Sequence, residues 1–351
     1  MSDDVRTVAV VGAGGFAGGE FLRLALGHPR LRVVQVTSER HAGDPVPLVH
    51  PHLRGVTRLR FEPLSALRAA DVVVAGLPHG VLAGRLDEIA ERAGVLVDLS
   101  ADFRLRDPAL YERWYGAAHP RPELLGSFAY ANPELDRVAP GGPRLPGAAR
   151  IAGAGCIATA AVLALLPLVR GGLLARREVV LEAKVGSSAA GRRPTEAGHH
   201  PLRAGVVRTY APVGHRHTAE LHQAFPGLVA HLTASAVERV RGVMVTAHAW
   251  LHDGSAEGDV RAAMEDAYAD EPFVRIVAAR RGPHRVPDPR VLDGSNWCDL
   301  GFALDRDTGR LVVMSAIDNL VKGTAGHALQ ALNVAFGWDE RVGLTFPGLF
   351  P

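Results

Sequence analysis

In Val8-Ala9-Val10-Val11-Gly12-Ala13-Gly14-Gly15-Phe16-Ala17-Gly18-Gly19 an apolar run stops at a glycine-rich turn, and Glu20 to Leu26 then continue with helical spacing. Strand, turn and helix in that order open a dinucleotide-binding unit. A backbone without Cβ atoms can approach a pyrophosphate closely, and the helix N-terminus then faces its charge. The glycines at 12, 15 and 18 keep a three-residue period, and Ala17 stands where the strict motif has its own spacing. Such turns also serve as plain connections, so the flanking strand and helix carry the reading. The candidate cofactor contacts here are Gly12, Ala13, Gly14, Gly15 and Phe16.

Arg32 to Thr37 reads as the second strand, and it closes on Thr37-Ser38-Glu39-Arg40. A lone carboxylate at this place takes the ribose hydroxyls of NAD, whereas hydroxyls with an arginine suit the 2′-phosphate of NADP. Thr37, Ser38 and Arg40 therefore point to NADP(H), and Glu39 argues the other way. Asp71 to Pro78 and Val95 to Asp98 read as buried parallel strands, with Gly80 to Ala93 as the helix between them. Residues 100–150 are loop-rich, with prolines at 108, 120, 122, 133, 140, 143 and 146. Beyond Cys156 the pattern changes: residues 179–185, 231–237, 243–252, 299–305 and 311–317 read as strands, several alternating as a half-solvated antiparallel sheet does, and a helix at about 257–269 interrupts them. The expected fold is α/β, a Rossmann-type doubly wound NADP domain over 1–155 completed by 318–351. An α+β substrate and oligomerisation domain with a largely antiparallel sheet is expected over 156–317.

A chain of 351 residues suits two domains. With 39 basic and 37 acidic residues the net charge is +2, which gives no global case for nucleic acid as a partner. No apolar run reaches the roughly 20 residues of a membrane span, and Met1-Ser2-Asp3-Asp4 has neither basic flank nor apolar signal core. The expectation is a cytoplasmic protein with no membrane partner. Two cysteines, Cys156 and Cys298, are too few for a disulfide framework. Arg192, Arg193, Arg203, Arg208, His215, Arg216, His217, Arg239 and Arg241 cluster in a stretch with few acids. They read as a solvated basic face or as the footprint of an anionic partner.

The chemistry centres on Ala152-Gly153-Ala154-Gly155-Cys156-Ile157-Ala158-Thr159-Ala160, where a cysteine opens an alanine-rich helix. First-turn N–H groups and the helix dipole favour a thiolate there, although cysteine is also a common small core residue. A nicotinamide fold and an activated thiol together suit reduction of an acyl phosphate: the thiolate displaces phosphate, and hydride reduces the thioester to an aldehyde. Such a site needs a proton carrier and cations for phosphate. Gly214-His215-Arg216-His217-Thr218 offers two histidines, which share a face if the segment is extended and diverge if it is helical. Zinc is the rival use of so many histidines. No paired cysteines or helical HxxxH spacing support it, so no metal is expected.

The glycine turn at 12–18, Leu99-Ser-Ala-Asp-Phe-Arg104, Gly155-Cys156, Gly214 to Thr218, Arg241-Gly242 and Ile317-Asp-Asn-Leu-Val-Lys-Gly323 together resemble the N-acetyl-γ-glutamyl-phosphate reductases and their relatives. That resemblance implies Cys156 as nucleophile, His217 as acid–base group with His215 second, and Asn319 on the cofactor. Asp318-Asn319 also suits a plain helix N-cap. The arginine-pathway enzymes read Asn-Pro-Gly-Cys, whereas Gly153 to Ala160, Val185-Gly-Ser-Ser-Ala-Ala-Gly191 and His199-His-Pro-Leu-Arg203 are similar to the branch acting on carrier-bound substrates. Ile157 departs from it, since that branch usually has asparagine there. The branch implies NADPH-dependent reduction of an α-aminoadipyl or glutamyl phosphate carried on a small acidic amino-group carrier protein, and a homodimer or homotetramer. Arg104, Lys184, Arg216 and Arg241 are candidate phosphate or carboxylate contacts, and Ser100 and Asp102 are expected to position the Arg104 loop. The alternatives are the reductase of the free acetylated metabolite and a non-catalytic NADP-binding regulator.

Overall fold

The computed structural model describes residues 5–279 and 281–350, so the N-terminal Met1 to Asp4 lie outside the described residues. The chain divides into two units, one running to Ala154 and regaining Thr324–Thr345, the other formed by Gly155–Gly323 with the last residues from Phe346.

The first unit is built on seven strands: β1 (Arg6–Val11), β2 (Leu31–Thr37), β3 (Phe61–Glu62), β4 (Ala70–Ala75), β5 (Ala93–Asp98), β6 (Ala129–Ala131) and β7 (Arg150–Gly153). They lie in the order β3-β2-β1-β4-β5-β7-β6, and each neighbouring pair is parallel. Val8 to Val11 and Val72 to Ala75 are wholly buried, as strands covered on both faces must be. The strand order reverses between β1 and β4, the place where open α/β sheets bind their ligands. Three glycines interlock there. Gly12 has φ +73°, and a Cβ on it would drive into the Gly76 carbonyl, while a Cβ on Gly18 would lie 2.6 Å from the Gly12 carbonyl oxygen. The expected helix after β4 is two short pieces, Val81–Gly84 and Leu86–Ala90, broken at Arg85.

The second unit holds β8 (Glu178–Val185), β9 (Val207–Ala211), β10 (Val229–Val237), β11 (Val243–Trp250), β12 (Val274–Ile276), β13 (Cys298–Asp305) and β14 (Arg310–Ile317), in the order β12-β13-β14-β11-β8-β10-β9. The sheet is mixed. Four neighbouring pairs are antiparallel, and β8–β10 and β12–β13 are parallel. Burial alternates along β8 and β11, so one face is core and the other is open. The helix Cys156–Arg170 packs on the core face and is buried from Ile157 to Leu168. Pro167 inside it has no N–H for the Leu163 carbonyl, and the Tyr268 hydroxyl donates to that oxygen instead at 2.5 Å.

Residues 318–323 and 346–350, expected to complete the first domain, cluster with the second. Asp318 and Asn319 are held by Arg241, Gly242 and Gly294, and the Phe346 ring packs on Gly294. The part of the C-terminal segment that does return, Thr324–Thr345, carries the helix Gly326–Ala335 onto β7. Among the described residues no helix is long and apolar enough to cross a membrane.

Candidate active site

Cys156 is the first residue of its helix, behind the N-cap Gly155. The thiol is partly buried and in no disulfide. Only glycine fits at 155, because a Cβ there would lie 2.5 Å from His217 Nε2 and 2.6 Å from Glu220 Oε1. The cysteine turn is therefore packed against an imidazole and a carboxylate that the helix His217–Ala224 presents three residues apart. Glu220 Oε2 accepts the Gly155 N–H at 2.9 Å, and Oε1 stands 4.0 Å from His217 Nε2; all are buried. On another side a Cβ on Gly323 would come 2.6 Å from Cys156 Cβ. Sequence reasoning missed Glu220. Its signal was the acid three residues after His217, the spacing that puts two side chains on one helix face.

His215 lies in the turn before this helix, on neither an extended segment nor the helix itself. The turn folds it back, so its Nδ1 accepts the His217 backbone N–H at 3.2 Å and the two rings meet edge-on with centroids 4.7 Å apart. Burial, and then the charge of Arg216, lower the His215 imidazole to about 4, so it is neutral at pH 7. With Nδ1 accepting, its proton sits on Nε2, 3.4 Å from the Tyr210 hydroxyl. That phenol is itself raised to about 12 by desolvation and then by the neighbouring Cys156.

Val185, Val243 and Ile317 pair side by side, and the loops beyond them form a cluster. The Gly186 N–H donates to the Gly242 carbonyl at 3.0 Å and the Ser188 N–H to that of Val240 at 2.9 Å. Asn319 Oδ1 accepts the Gly242 N–H at 2.6 Å while its Nδ2 donates to Ser188 Oγ at 3.0 Å. Asp318, fully buried, accepts from Arg241 at 3.0 Å and from the Gly294 N–H at 2.7 Å through Oδ2. Through Oδ1 it takes the Leu320 and Val321 N–H groups. Asp318 thus fills the capping place, and Asn319 ties the Ser188 loop to the Arg241–Gly242 loop. Arg216 is exposed at the head of the His217 helix. Lys184 is not brought to this cluster: it lies on the open face of β8, opposite the cysteine helix, paired with Glu182 at 3.2 Å.

In the first unit the helix Phe16–Leu26 starts behind Gly15, and the Ala13 N–H donates to the Thr37 carbonyl at 3.0 Å. A Cβ on Gly14 would lie 2.8 Å from Ser38 Oγ. Glu39 is turned away from this turn, its Oε1 accepting the Leu64 N–H at 2.7 Å. Arg40 is exposed. These residues fit an NADP dinucleotide: a turn whose Gly12, Gly14 and Gly18 leave no room for a Cβ, a hydroxyl and an arginine after β2, and the competing carboxylate engaged elsewhere. Arg104 is buried and donates to the Gly153 carbonyl at 2.7 Å. Ser100 Oγ accepts the Asp102 N–H at 3.1 Å, but the Asp102 carboxylate reaches the loop after β4, taking His79 at 2.8 Å and the Gly80 and Ala83 N–H groups. No three His, Cys, Asp or Glu side chains gather as metal ligands among the described residues.

Residues 7–139 match the family model described as semialdehyde dehydrogenase, NAD binding domain, and residues 156–319 the model described as semialdehyde dehydrogenase, dimerisation domain. The chain belongs to the semialdehyde dehydrogenase family. As a family member it is an oxidoreductase, and relatives within the family match it end to end. It is 57% identical to a Deinococcus radiodurans protein named LysW-L-2-aminoadipate 6-phosphate reductase, with 100% of both chains covered. It is 42% identical to a Sulfurisphaera tokodaii protein named LysW-L-2-aminoadipate/LysW-L-glutamate phosphate reductase, covering 98% of this chain and 99% of that one. Among solved structures, aspartate semialdehyde dehydrogenase II from Vibrio cholerae shares the semialdehyde dehydrogenase fold with a TM-score of 0.70 at 15% identity, over 94% of this chain and 98% of that one.

Proposed function

We propose that the chain is an NADPH-dependent reductase that converts LysW-bound L-2-aminoadipyl 6-phosphate to its semialdehyde with release of phosphate, the glutamyl 5-phosphate being a second substrate. The chemistry rests on one observation, the Gly155–Cys156 turn with His217 and Glu220 packed against it. The substrate follows from the relatives' names. The Cys156 thiolate attacks the acyl carbon, the carbon–oxygen bond to phosphate breaks, and phosphate leaves with the electron pair. When bound, the dinucleotide supplies the hydride that reduces the resulting thioester. His217 gives its proton to the oxygen of the hemithioacetal and takes it back as the carbon–sulfur bond breaks, restoring the thiolate. His215, neutral and engaged at both nitrogens, fixes the backbone under His217 instead of carrying that proton.

Gly12 to Phe16 hold the pyrophosphate in this reading, Thr37 closes the turn from β2, and Ser38 with Arg40 take the 2′-phosphate. Asn319, a cofactor contact by the sequence resemblance, ties the Ser188 loop to the Arg241–Gly242 loop. Arg104 holds the strand end that leads to the cysteine, and Arg241 and Arg216 supply positive charge toward phosphate. LysW is taken as the small acidic amino-group carrier that the sequence resemblance implies. The exposed Arg192, Arg193, His199 and His200 suit an acidic carrier steered in a salt-dependent way. The open sheet face, with Val180 and Val229 exposed, suits a homodimer or homotetramer, and the cytoplasm is the expected compartment.

Turnover of purified protein on the carrier conjugate and on free N-acetylglutamyl phosphate tests the reading. The conjugate should win in kcat/KM by at least about 100-fold, with NADPH preferred over NADH. Equal values on the two acyl phosphates would overturn the carrier assignment.

A further inference from the structure

Gly18 and Gly19 follow the cofactor turn, and only Gly18 is explained by the backbone it meets. A Cβ on Gly19 would be driven into the imidazole of His50, at Cε1 and Nε2. That ring is 6% exposed. It follows the short helix Val46–Val49, and its backbone N–H is held by the Val46 carbonyl at 2.8 Å. Its Nε2 stands 2.7 Å from the Ala13 carbonyl oxygen. A carbonyl only accepts, so Nε2 carries a proton and donates it.

We infer that His50 is a positioning residue for the dinucleotide, holding the turn 12–15 in its binding shape from behind, and that residue 19 is glycine to admit its ring. The inference rests on reading that turn as the NADP cradle. Ala13 is fixed on both sides, its N–H on the Thr37 carbonyl at 3.0 Å and its own carbonyl on His50. The Ala13–Gly14 peptide is planar and trans, so a carbonyl drawn to His50 points the Gly14 N–H the opposite way within that plane. That N–H belongs to the rim of the helix N-terminus where a phosphate is received. His50 is buried behind the turn and acts through Ala13.

The test uses the full chain and two readouts, NADPH dissociation constant by nicotinamide fluorescence and the steady-state constants. His50→Phe keeps a ring in the slot but has no donor. It should weaken NADPH binding and raise the NADPH KM about tenfold, with kcat and the acyl-substrate KM within twofold of wild type. His50→Gln, which restores an N–H donor, should recover most of the affinity. If His50→Phe does not fold, Gly19→Ala carries the same expectation, since its methyl evicts the ring. NADPH affinity within twofold of wild type in His50→Phe, or in Gly19→Ala in its place, overturns the inference. So does a loss that His50→Gln does not recover, which is what a merely structural ring would give. Wild-type protein that fails to bind NADPH would instead contradict the reading of the turn itself, and His50's role with it.

Discussion

His215 and His217 are two residues apart and differ in what surrounds them. His217 lies against Gly155 and Glu220, next to the Cys156 turn, while His215 is held neutral by burial. Its imidazole stands at about 4 in the folded chain against roughly 6.5 unfolded. Between those values the unfolded chain binds a proton that the folded one lacks. The stability linked to His215 is therefore complete above about pH 6.5 and is lost as pH falls through about 4. Thermal melts over that window should fall more steeply for wild type than for His215→Gln, and parallel curves would contradict the assignment. The roles proposed for Cys156 and His217 are read from the sequence because that chemistry needs those side chains in that setting. Lys184 lies with Glu182 away from the core face, a placement already legible in the period of two from Glu178 to Val185. Glu39 is different: the Leu64 N–H that holds it is 25 residues away, so no local pattern shows that the carboxylate is diverted.

A charge-assisted bond from the Gly155 N–H to Glu220 joins the cysteine helix and the His217 helix. Hydrogen bonds to a charged group contribute about 1.5–3 kcal/mol, so Glu220→Ala should lower unfolding free energy by that amount in denaturant titration. It should also reduce kcat, because His217 loses its neighbour. Wild-type stability and turnover in that variant would show that the bond does not join the helices. The long strands of both sheets and the cysteine helix are legible because their apolar periods are sustained over many residues. The short strands β3, β6, β9 and β12 are not, since two to five residues carry no period and their pairing partners are distant in sequence. The break at Arg85 is announced only by Gly84 just before it, a weak signal inside a helical pattern.

Across the molecule the division of labour follows the two sheets. The parallel sheet presents the glycine turn at its β1/β4 reversal, and the unit of the mixed sheet carries Cys156, His215, His217 and the Asn319–Arg241 loops. The boundary between units falls at 154/155, one residue before the sequence placed it. The return crossing falls six residues later than expected, because Asp318 and Asn319 spend their hydrogen bonds on the second unit. The central claim is that Cys156 carries the acyl group between loss of phosphate and reduction. Intact-mass measurement of protein mixed with the carrier-bound acyl phosphate in the absence of NADPH tests it most directly. The account expects a covalent adduct of the acylated carrier on Cys156, absent from Cys156→Ser and discharged as semialdehyde when NADPH is added. Semialdehyde production by Cys156→Ser at the wild-type rate, or an adduct on another residue that NADPH discharges, would contradict it.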